Sequence, residues 1–389
     1  MTGKWNIGSR TVRLMTFAIL TAVSCAGPLR AEPVPVRRLR AALYIDRGSA
    51  GNGVLEHARL LEYSPEVELT LVTGQDIRDG KLKGQDLLVM PGGYPTRQLE
   101  SLKQEGIMAV RKFVSDGGAY MGTCAGLSAS LSMKGRLRVL PFQRKPNSGG
   151  SHGLLAVDLT PAGVKRLGIR PGRYVVCYSG GPIPIPGKIT ARAGGEGLAV
   201  YKNSLSSINK PEGNFFNNFS IIFGRLGKGK TIATSFHPEY LHSTHCIELG
   251  CIYAVTGIRP KPVYPKKDPR PLRVGFYSLT KVRTVIEEMF QLDRHPGLDV
   301  RLVSNSSLAT GILPHLDVLF AADCPEADFK KYLGGEFTMG QIRRFLERGG
   351  LVFSSPRLCR LLPEHPNVIV FKDGPELPGQ ILDRAAKCK

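Results

Sequence analysis

The stretch Gly117-Gly118-Ala119-Tyr120-Met121-Gly122-Thr123-Cys124-Ala125-Gly126 narrows the folds open to this chain more than any other. A short apolar run enters a turn flanked by glycines, and a helix over Leu127 to Leu131 is expected directly behind it. Such a strand-to-helix elbow lets other backbone approach the glycines, and the start of a helix favours a thiolate at the apex. Cys124 is therefore a candidate nucleophile. Taken alone, the Gly-x-Cys-x-Gly spacing fits a buried cysteine in an ordinary strand, turn and helix equally well, so the surrounding chain has to decide.

From Leu39 onward, apolar runs alternate with helical patterns. Leu39 to Ile45 reads as a strand, Gly53 to Glu62 as a helix and Val67 to Val72 as a strand, and Asp86 to Met90 reads as a strand ending in Pro91-Gly92-Gly93. Ile107, Val110, Phe113 and Val114 recur at helical spacing, and that helix stops at Gly117-Gly118. The alternation predicts an α/β fold, a doubly wound parallel sheet with helices on both faces. Ligands of such sheets bind beyond the carboxyl ends of the strands, where Pro91-Gly92-Gly93 and Cys124 both fall.

Composition sets the outer bounds. With 389 residues, 42% hydrophobic and 22% charged, the chain can bury a large core in two or three domains. Its net charge of +21 would suit a polyanion, yet the basic residues are spread along the sequence and flank few aromatics. No nucleic-acid-binding motif is present, so a solvated basic surface is expected and a nucleic-acid partner is not.

Lys4, Arg10 and Arg13 precede an apolar run from Leu14 to Gly27, and the small residue Ala31 stands before Glu32. This is the layout of a secretory signal peptide over residues 1–31, which predicts export to the periplasm or the extracellular space. The run is short for a membrane span, and no transmembrane span is expected after its removal. Cys25 follows Ala22-Val23-Ser24, a poor approximation to a lipid-attachment site, so lipoprotein anchoring is the lesser reading. Without Cys25, seven cysteines remain, namely Cys124, Cys177, Cys246, Cys251, Cys324, Cys359 and Cys388. An odd number in an oxidising compartment leaves at least one unpaired, and Cys124 is the candidate.

Three motifs now stand in order: Pro91-Gly92-Gly93, Gly122-Thr123-Cys124-Ala125-Gly126, and His237-Pro238-Glu239 after an expected strand from Thr231 to Phe236. Together they resemble the class I glutamine amidotransferase-like superfamily. The Gly117-to-Ser130 stretch, Tyr178-Ser179-Gly180-Gly181-Pro182 and Gly227-Lys228-Gly229-Lys230 leading to His237 resemble, more closely, the N-terminal domain of biotin-protein ligases. The likeness covers about Leu39 to Gly257.

The chemistry agrees with what the resemblance implies. A cysteine becomes a thiolate beside a base, and that imidazole needs a third group to hold its tautomer. His237 and Glu239 can fill these roles, with Pro238 fixing the backbone between them. Attack on an amide also needs N–H donors for the oxyanion, for which the Gly92-Gly93 turn and the N–H of Ala125 are the candidates. Tyr178, Gly180 and Gly181 either line the substrate pocket or make a simple turn.

Ser128 stands where glutamine-hydrolysing members of the superfamily carry a Gln. No phosphate-binding loop, synthetase partner or ligase catalytic domain is expected, and neither biotinylation nor a cofactor. Between elbow and histidine, residues 132–230 are expected to be rich in turns, with an exposed loop from Arg144 to Gly153, an extended stretch from Pro182 to Pro186 and a polar loop from Ser204 to Asn218. His242, His245, Cys246 and Cys251 fit no common zinc spacing and read as part of a packed helix, so no metal is expected.

Residues 258–271 form a proline-rich linker. Residues 272–385 then read as a second, degenerate flavodoxin-like α/β domain repeating the first half. Leu272 to Tyr277 mirrors Leu39 to Tyr44, Leu298 to Val303 mirrors Val67 to Val72, and Asp317 to Phe320 mirrors Asp86 to Val89. Counted from the shared Gly-Gly pair, Pro356 replaces Cys124, and Asp323-Cys324 replaces Gly92-Gly93. This repeat is expected to bind a protein partner or to cover the first domain, and Cys324 and Cys359 are expected to lie close enough for a disulfide.

The function expected is that of an exported hydrolase or amidotransferase-like enzyme acting on a small-molecule or peptide-like amide through Cys124, His237 and Glu239 and a thioester. The alternative is a non-catalytic binding protein that kept the fold.

Overall fold

The computed structural model describes residues 37–146, 148, 152–188, 190–203, 215–278, 283–303, 308, 311–371 and 374–387. The expected signal peptide, Cys25, Cys388 and residues 204–214 of the expected polar loop lie outside the described residues. The apolar runs form the strands β1 (Leu39–Tyr44), β2 (Val67–Val72), β3 (Leu87–Met90) and β4 (Ala119–Thr123). Helix α1 (Gly51–Glu62) follows β1, the short α2 (Gly74–Arg78) follows β2, and α3 (Pro95–Ser115) follows β3. α3 is interrupted at Lys103, which takes a φ of 55°. Arg78 donates to the carbonyls of Ser101 and Leu102, which the break would otherwise leave without partners.

Helix α4 (Ala125–Ser130) begins directly after the cysteine. Beyond it the structure departs from the loop-rich expectation, because residues 132–230 carry β5 (Phe142–Arg144), β6 (His152–Leu159), β7 (Arg173–Ser179), β8 (Pro184–Pro186), β9 (Glu196–Tyr201) and β10 (Phe219–Leu226), with α5 (Pro161–Leu167) among them. These strands are set off by glycine and proline turns, and several have one wet face. Leu154 and Val175 are both exposed, so the hydrophobic alternation is blurred. β11 (Gly229–Thr234) returns to the centre, and α6 (His245–Thr256) covers one face.

The resulting sheet has nine strands in the order β2-β1-β3-β4-β11-β10-β9-β6-β7. The first five run parallel, in the 2-1-3-4-5 order of flavodoxin-like folds. The wholly parallel sheet expected is therefore extended by antiparallel pairings from β10 outward.

A second sheet holds β12 (Leu272–Tyr277), β13 (Leu298–Val303), β14 (Val318–Ala321), β15 (Leu351–Ser354) and β16 (Val368–Val370) in the order β13-β12-β14-β15-β16, all parallel. Its register repeats that of the first. Leu39 faces Val67 and Leu272 faces Leu298, while Leu87 faces Ala119 and Val318 faces Leu351. Arg40 gives Asp86 its backbone N–H at 3.0 Å and its guanidinium at 3.2 Å, and Arg273 binds Asp317 the same way at 2.8–3.0 Å. Phe113 lies on Gly118 as Phe345 lies on Gly350.

At the carboxyl ends the repeat diverges. Asp323 accepts from Ser355 at 2.6 Å and pairs with Arg357, and Pro356 opens a four-residue helix, Pro356–Cys359. The disulfide expected between Cys324 and Cys359 is not formed, and both are free thiols. Cys324 is turned into the apolar core of the second sheet while Cys359 stays half-buried.

The two sheets meet through α1 and α7 (Arg283–Arg294). The buried Asp293 accepts from Arg59 at 3.0 Å and from the Tyr63 hydroxyl at 2.8 Å, with the Lys267 ammonium at 3.5 Å. Tyr63 stacks edge-on against Phe290 and Tyr264, so the proline-rich segment is packed down and does not act as a free spacer. Asp293→Asn would leave Arg59 largely unpaired in a mostly buried setting. Urea denaturation should show a loss of about 3 kcal/mol, the lower part of the range for breaking a buried pair; a loss under about 1 kcal/mol would mean that apolar packing alone joins the sheets.

Candidate active site

The elbow is built by close approach. Cys124, one residue beyond β4, has φ 51° and ψ −98°, a conformation that a residue with a side chain rarely adopts. Its N–H donates to the Thr234 carbonyl at 2.8 Å, and its carbonyl accepts from Ser128 at 3.0 Å. Gly126 lies so close to β3 that a Cβ there would be 2.1 Å from the Met90 carbonyl oxygen. Substitution at Gly126 would push the elbow off the sheet.

The Pro91-Gly92-Gly93 turn lies on the other side. The Gly92 carbonyl accepts from Ala50 at 2.8 Å, and Gly93 bridges to Ser49, so the loop after β1 holds the turn in place. A Cβ on Gly92 would fall 2.4 Å from His237 Cε1 and 3.4 Å from Cys124 Cβ, which places this backbone at the point where thiol and imidazole meet. Ala125 is buried at the start of α4.

His237 follows β11, whose Thr234 lies opposite Thr123. The backbone N–H of His237 donates to the Cys177 carbonyl at 2.8 Å, tying the far edge strand β7 to the carboxyl end of β11. Nδ1 of His237 is 2.7 Å from Glu239 Oε1, and the ring stacks on Tyr240 at 4.4 Å and 3°. Burial would pull the imidazole pKa down; the Glu239 carboxylate and then the Cys124 sulfur outweigh it and hold the pKa well above the ordinary value. Burial likewise opposes the Glu239 charge, but His237 and then His57 lower its pKa on balance. The position of a Gly53 Cβ is 3.4 Å from Glu239 Oε1, so the first turn of α1 faces the carboxylate.

Cys124, His237, Glu239, Gly92 and Ala125 are thus brought together. Tyr178 is not, because its ring is buried between Tyr201 and Phe215 and its hydroxyl donates to the Gly181 carbonyl. Gly180, with φ 71°, completes that turn, so the turn reading fits this segment better than a pocket lined by Tyr178. The neighbouring Ser179 reaches the site instead, with its carbonyl 3.4 Å from Cys124 Sγ and its hydroxyl 2.9 Å from His152 Nδ1.

Sequence reasoning also missed His57 and Glu248. They come from α1 and α6, both fully buried, with His57 Nδ1 2.6 Å from Glu248 Oε1 and His57 Nε2 3.8 Å from Glu239 Oε1. The signal was available, since each is a titratable residue among the apolar positions of its helix.

The stability supplied by the raised His237 pKa is complete below its unfolded value of about 6.5 and is lost as pH rises through the higher folded value. Nitrogen NMR should therefore find His237 as imidazolium at about pH 7. Glu239→Gln should bring its midpoint down by more than about one pH unit. An unchanged midpoint would show that the carboxylate does not charge the ring.

Among known families, residues 61–130 match the one described as biotin-protein ligase, N terminal. A biotin–protein ligase of Schizosaccharomyces pombe is 28% identical over 176 residues, covering 40% of this chain and 25% of that protein. The chain thus spans about a quarter of the length of that curated relative. Among solved structures, PurLQS from Thermotoga maritima aligns with a TM-score of 0.39 at 12% identity over 54% of this chain and 96% of that one. A glutamine amidotransferase from the same organism aligns at 0.36 and 16% identity over 52% and 77% of the two chains. A ThuA-like protein from Parabacteroides merdae aligns at 0.41 and 14% identity over 60% and 95%. Through residues 61–130 the chain is thus similar, as its motifs imply, to the family described as biotin-protein ligase, N terminal.

Proposed function

We propose that this chain is a cysteine-dependent amide hydrolase or amidotransferase-like enzyme working outside the cytoplasm. The observation that carries the reading is a thiol on a strained elbow against an imidazole that is itself held at 2.7 Å by a buried carboxylate. Cys124 gives its proton to His237, and the thiolate attacks the carbonyl carbon of a small-molecule or peptide-like amide. The oxyanion forms toward Gly92 and the Ala125 N–H. The C–N bond breaks as His237 returns the proton to the leaving amine, and Cys124 keeps the acyl group as a thioester. Water, deprotonated by His237, or an acceptor amine then displaces sulfur, and Glu239 holds the ring in one orientation throughout.

Export rests on the charged and apolar layout of residues 1–31, and the second sheet is the candidate surface for a protein partner. A ligand-binding role without turnover is favoured by one observation, that only 5% of Cys124 is exposed.

The test is the pH dependence of Cys124 alkylation by iodoacetamide, read by mass spectrometry. Wild type should react rapidly at about pH 6, and His237→Ala should slow that reaction roughly a hundredfold, as expected for a free thiol with a pKa of about 8.5. A wild-type rate that rises only near that value and ignores the substitution would leave the binding role.

A further inference from the structure

Behind the thiol, the imidazole and Glu239 stand two more buried ionisable groups for which the reaction above has no use. His57 comes from the middle of α1 and Glu248 from α6, and both are shut off from solvent, as is Glu239. His57 Nδ1 contacts Glu248 Oε1 at 2.6 Å. Its other nitrogen, Nε2, has no hydrogen bond of its own and is directed at Glu239 Oε1, 3.8 Å away. The same Oε1 receives His237 at 2.7 Å, so one carboxylate oxygen stands between two imidazoles.

We propose that His57 and Glu248 form a positioning pair: Glu248 holds His57 as an imidazolium, and His57 presents its charge to Glu239, keeping that carboxylate ionised and directed at His237. The inference rests on the catalytic reading of Cys124, His237 and Glu239 for its consequence, and on the buried geometry alone for its substance.

The balance of charge supports it. Two carboxylates buried without counter-ions would take up protons, and a protonated Glu239 could not stabilise an imidazolium at His237. A cationic His57 between Glu248 and Glu239 leaves neither carboxylate without a partner. The neighbouring groups agree in sign. Burial lowers the His57 pKa, but Glu248 and Glu239 outweigh it and raise the value to about 9, against a smaller opposing effect of His237. Glu56 on α1, pushed up to about 7 by burial and by the charges of Glu239, Glu248 and Asp293 against the opposing Arg59, does not compete as an anion at acid pH. His245 on α6 is lowered by burial, so it adds no competing cation beside Glu248.

Three measurements separate this proposal from the catalytic reading. In unmodified protein, nitrogen NMR should show His57 doubly protonated at about pH 7.5, which an ordinary histidine with a pKa of about 6.5 would not be. In His57→Gln, the Glu239 carboxyl carbon signal should titrate at least about one pH unit higher than in wild type, a tenfold gain in proton affinity. Cys124 alkylation at about pH 6 should slow roughly tenfold in His57→Gln and in Glu248→Gln, and recover to within about threefold in Glu248→Asp, which keeps the charge. A neutral His57 in wild type at about pH 7.5, or an unmoved Glu239 titration in a folded His57→Gln, overturns the proposal. Should wild-type Cys124 react as a free thiol, the catalytic reading fails, and the His57 and Glu239 titrations still decide this one.

Discussion

The contact between Gly126 and the Met90 carbonyl governs the geometry of everything around Cys124. A parallel sheet gives every strand the same direction, so the residues just past β3, β4 and β11 emerge at one edge, but this alone does not bring them within bonding reach. They converge because the chain turns immediately after Thr123, and it can turn there only if the first residues of α4 lie against β3 with no side chain between. The strained Cys124 is the consequence, its conformation held by the hydrogen bonds to Thr234 and Ser128. His237, leaving β11 three residues beyond Thr234, then needs only the short Pro238–Tyr240 turn to bring its ring and the Glu239 carboxylate into line.

The second sheet shows which features the fold itself requires. Register, strand order, the Arg-to-Asp clamp and the aromatic ring over the glycine pair recur in both halves, and the clamp and the ring lie toward the amino ends of the strands. At the carboxyl ends, the glycine turn has become an aspartate salt-bridged to Arg357, and the cysteine a proline at the first position of a helix. The sheet tolerates either arrangement because strand ends add little to its hydrogen bonding, which is why chemistry gathers there in open α/β folds.

Legibility in the sequence followed the same division. β1 to β4, β12 to β14 and the elbow could be read because buried parallel strands are continuous apolar runs bounded by glycines. The repeat could be read because Asp86 and Asp317, and the paired glycines, fall at matching distances along the chain. The antiparallel extension could not, since β6 and β7 expose Leu154 and Val175 on one face, so their apolar residues do not mark a single buried side. Within the site, the motif residues were legible because they are adjacent in sequence or stand at the elbow. Ser179 acts through a backbone carbonyl, which has no signature, and the partners of His57 arrive from residues 239 and 248, a juxtaposition that only folding creates. Tyr178 stayed open between pocket wall and turn because an aromatic beside two glycines fits either, and its ring fills the core between Tyr201 and Phe215.

α1 carries more than one of these loads. Its first turn faces Glu239, its middle supplies His57, and its last turn with Tyr63 binds Asp293 of the second half. A helix is stiff over this length, so a displacement at the Asp293 end must be taken up by sliding or tilting of the whole element. Coulomb attraction across the 3.8 Å between His57 and Glu239 falls only as the inverse of distance, so it persists through small shifts that already forfeit much of the apolar contact along the helix. The second half is thereby joined, through Asp293 and α1, to the helix that sets His57 beside Glu239, so one stiff element links the core of the second sheet to the buried charges of the first.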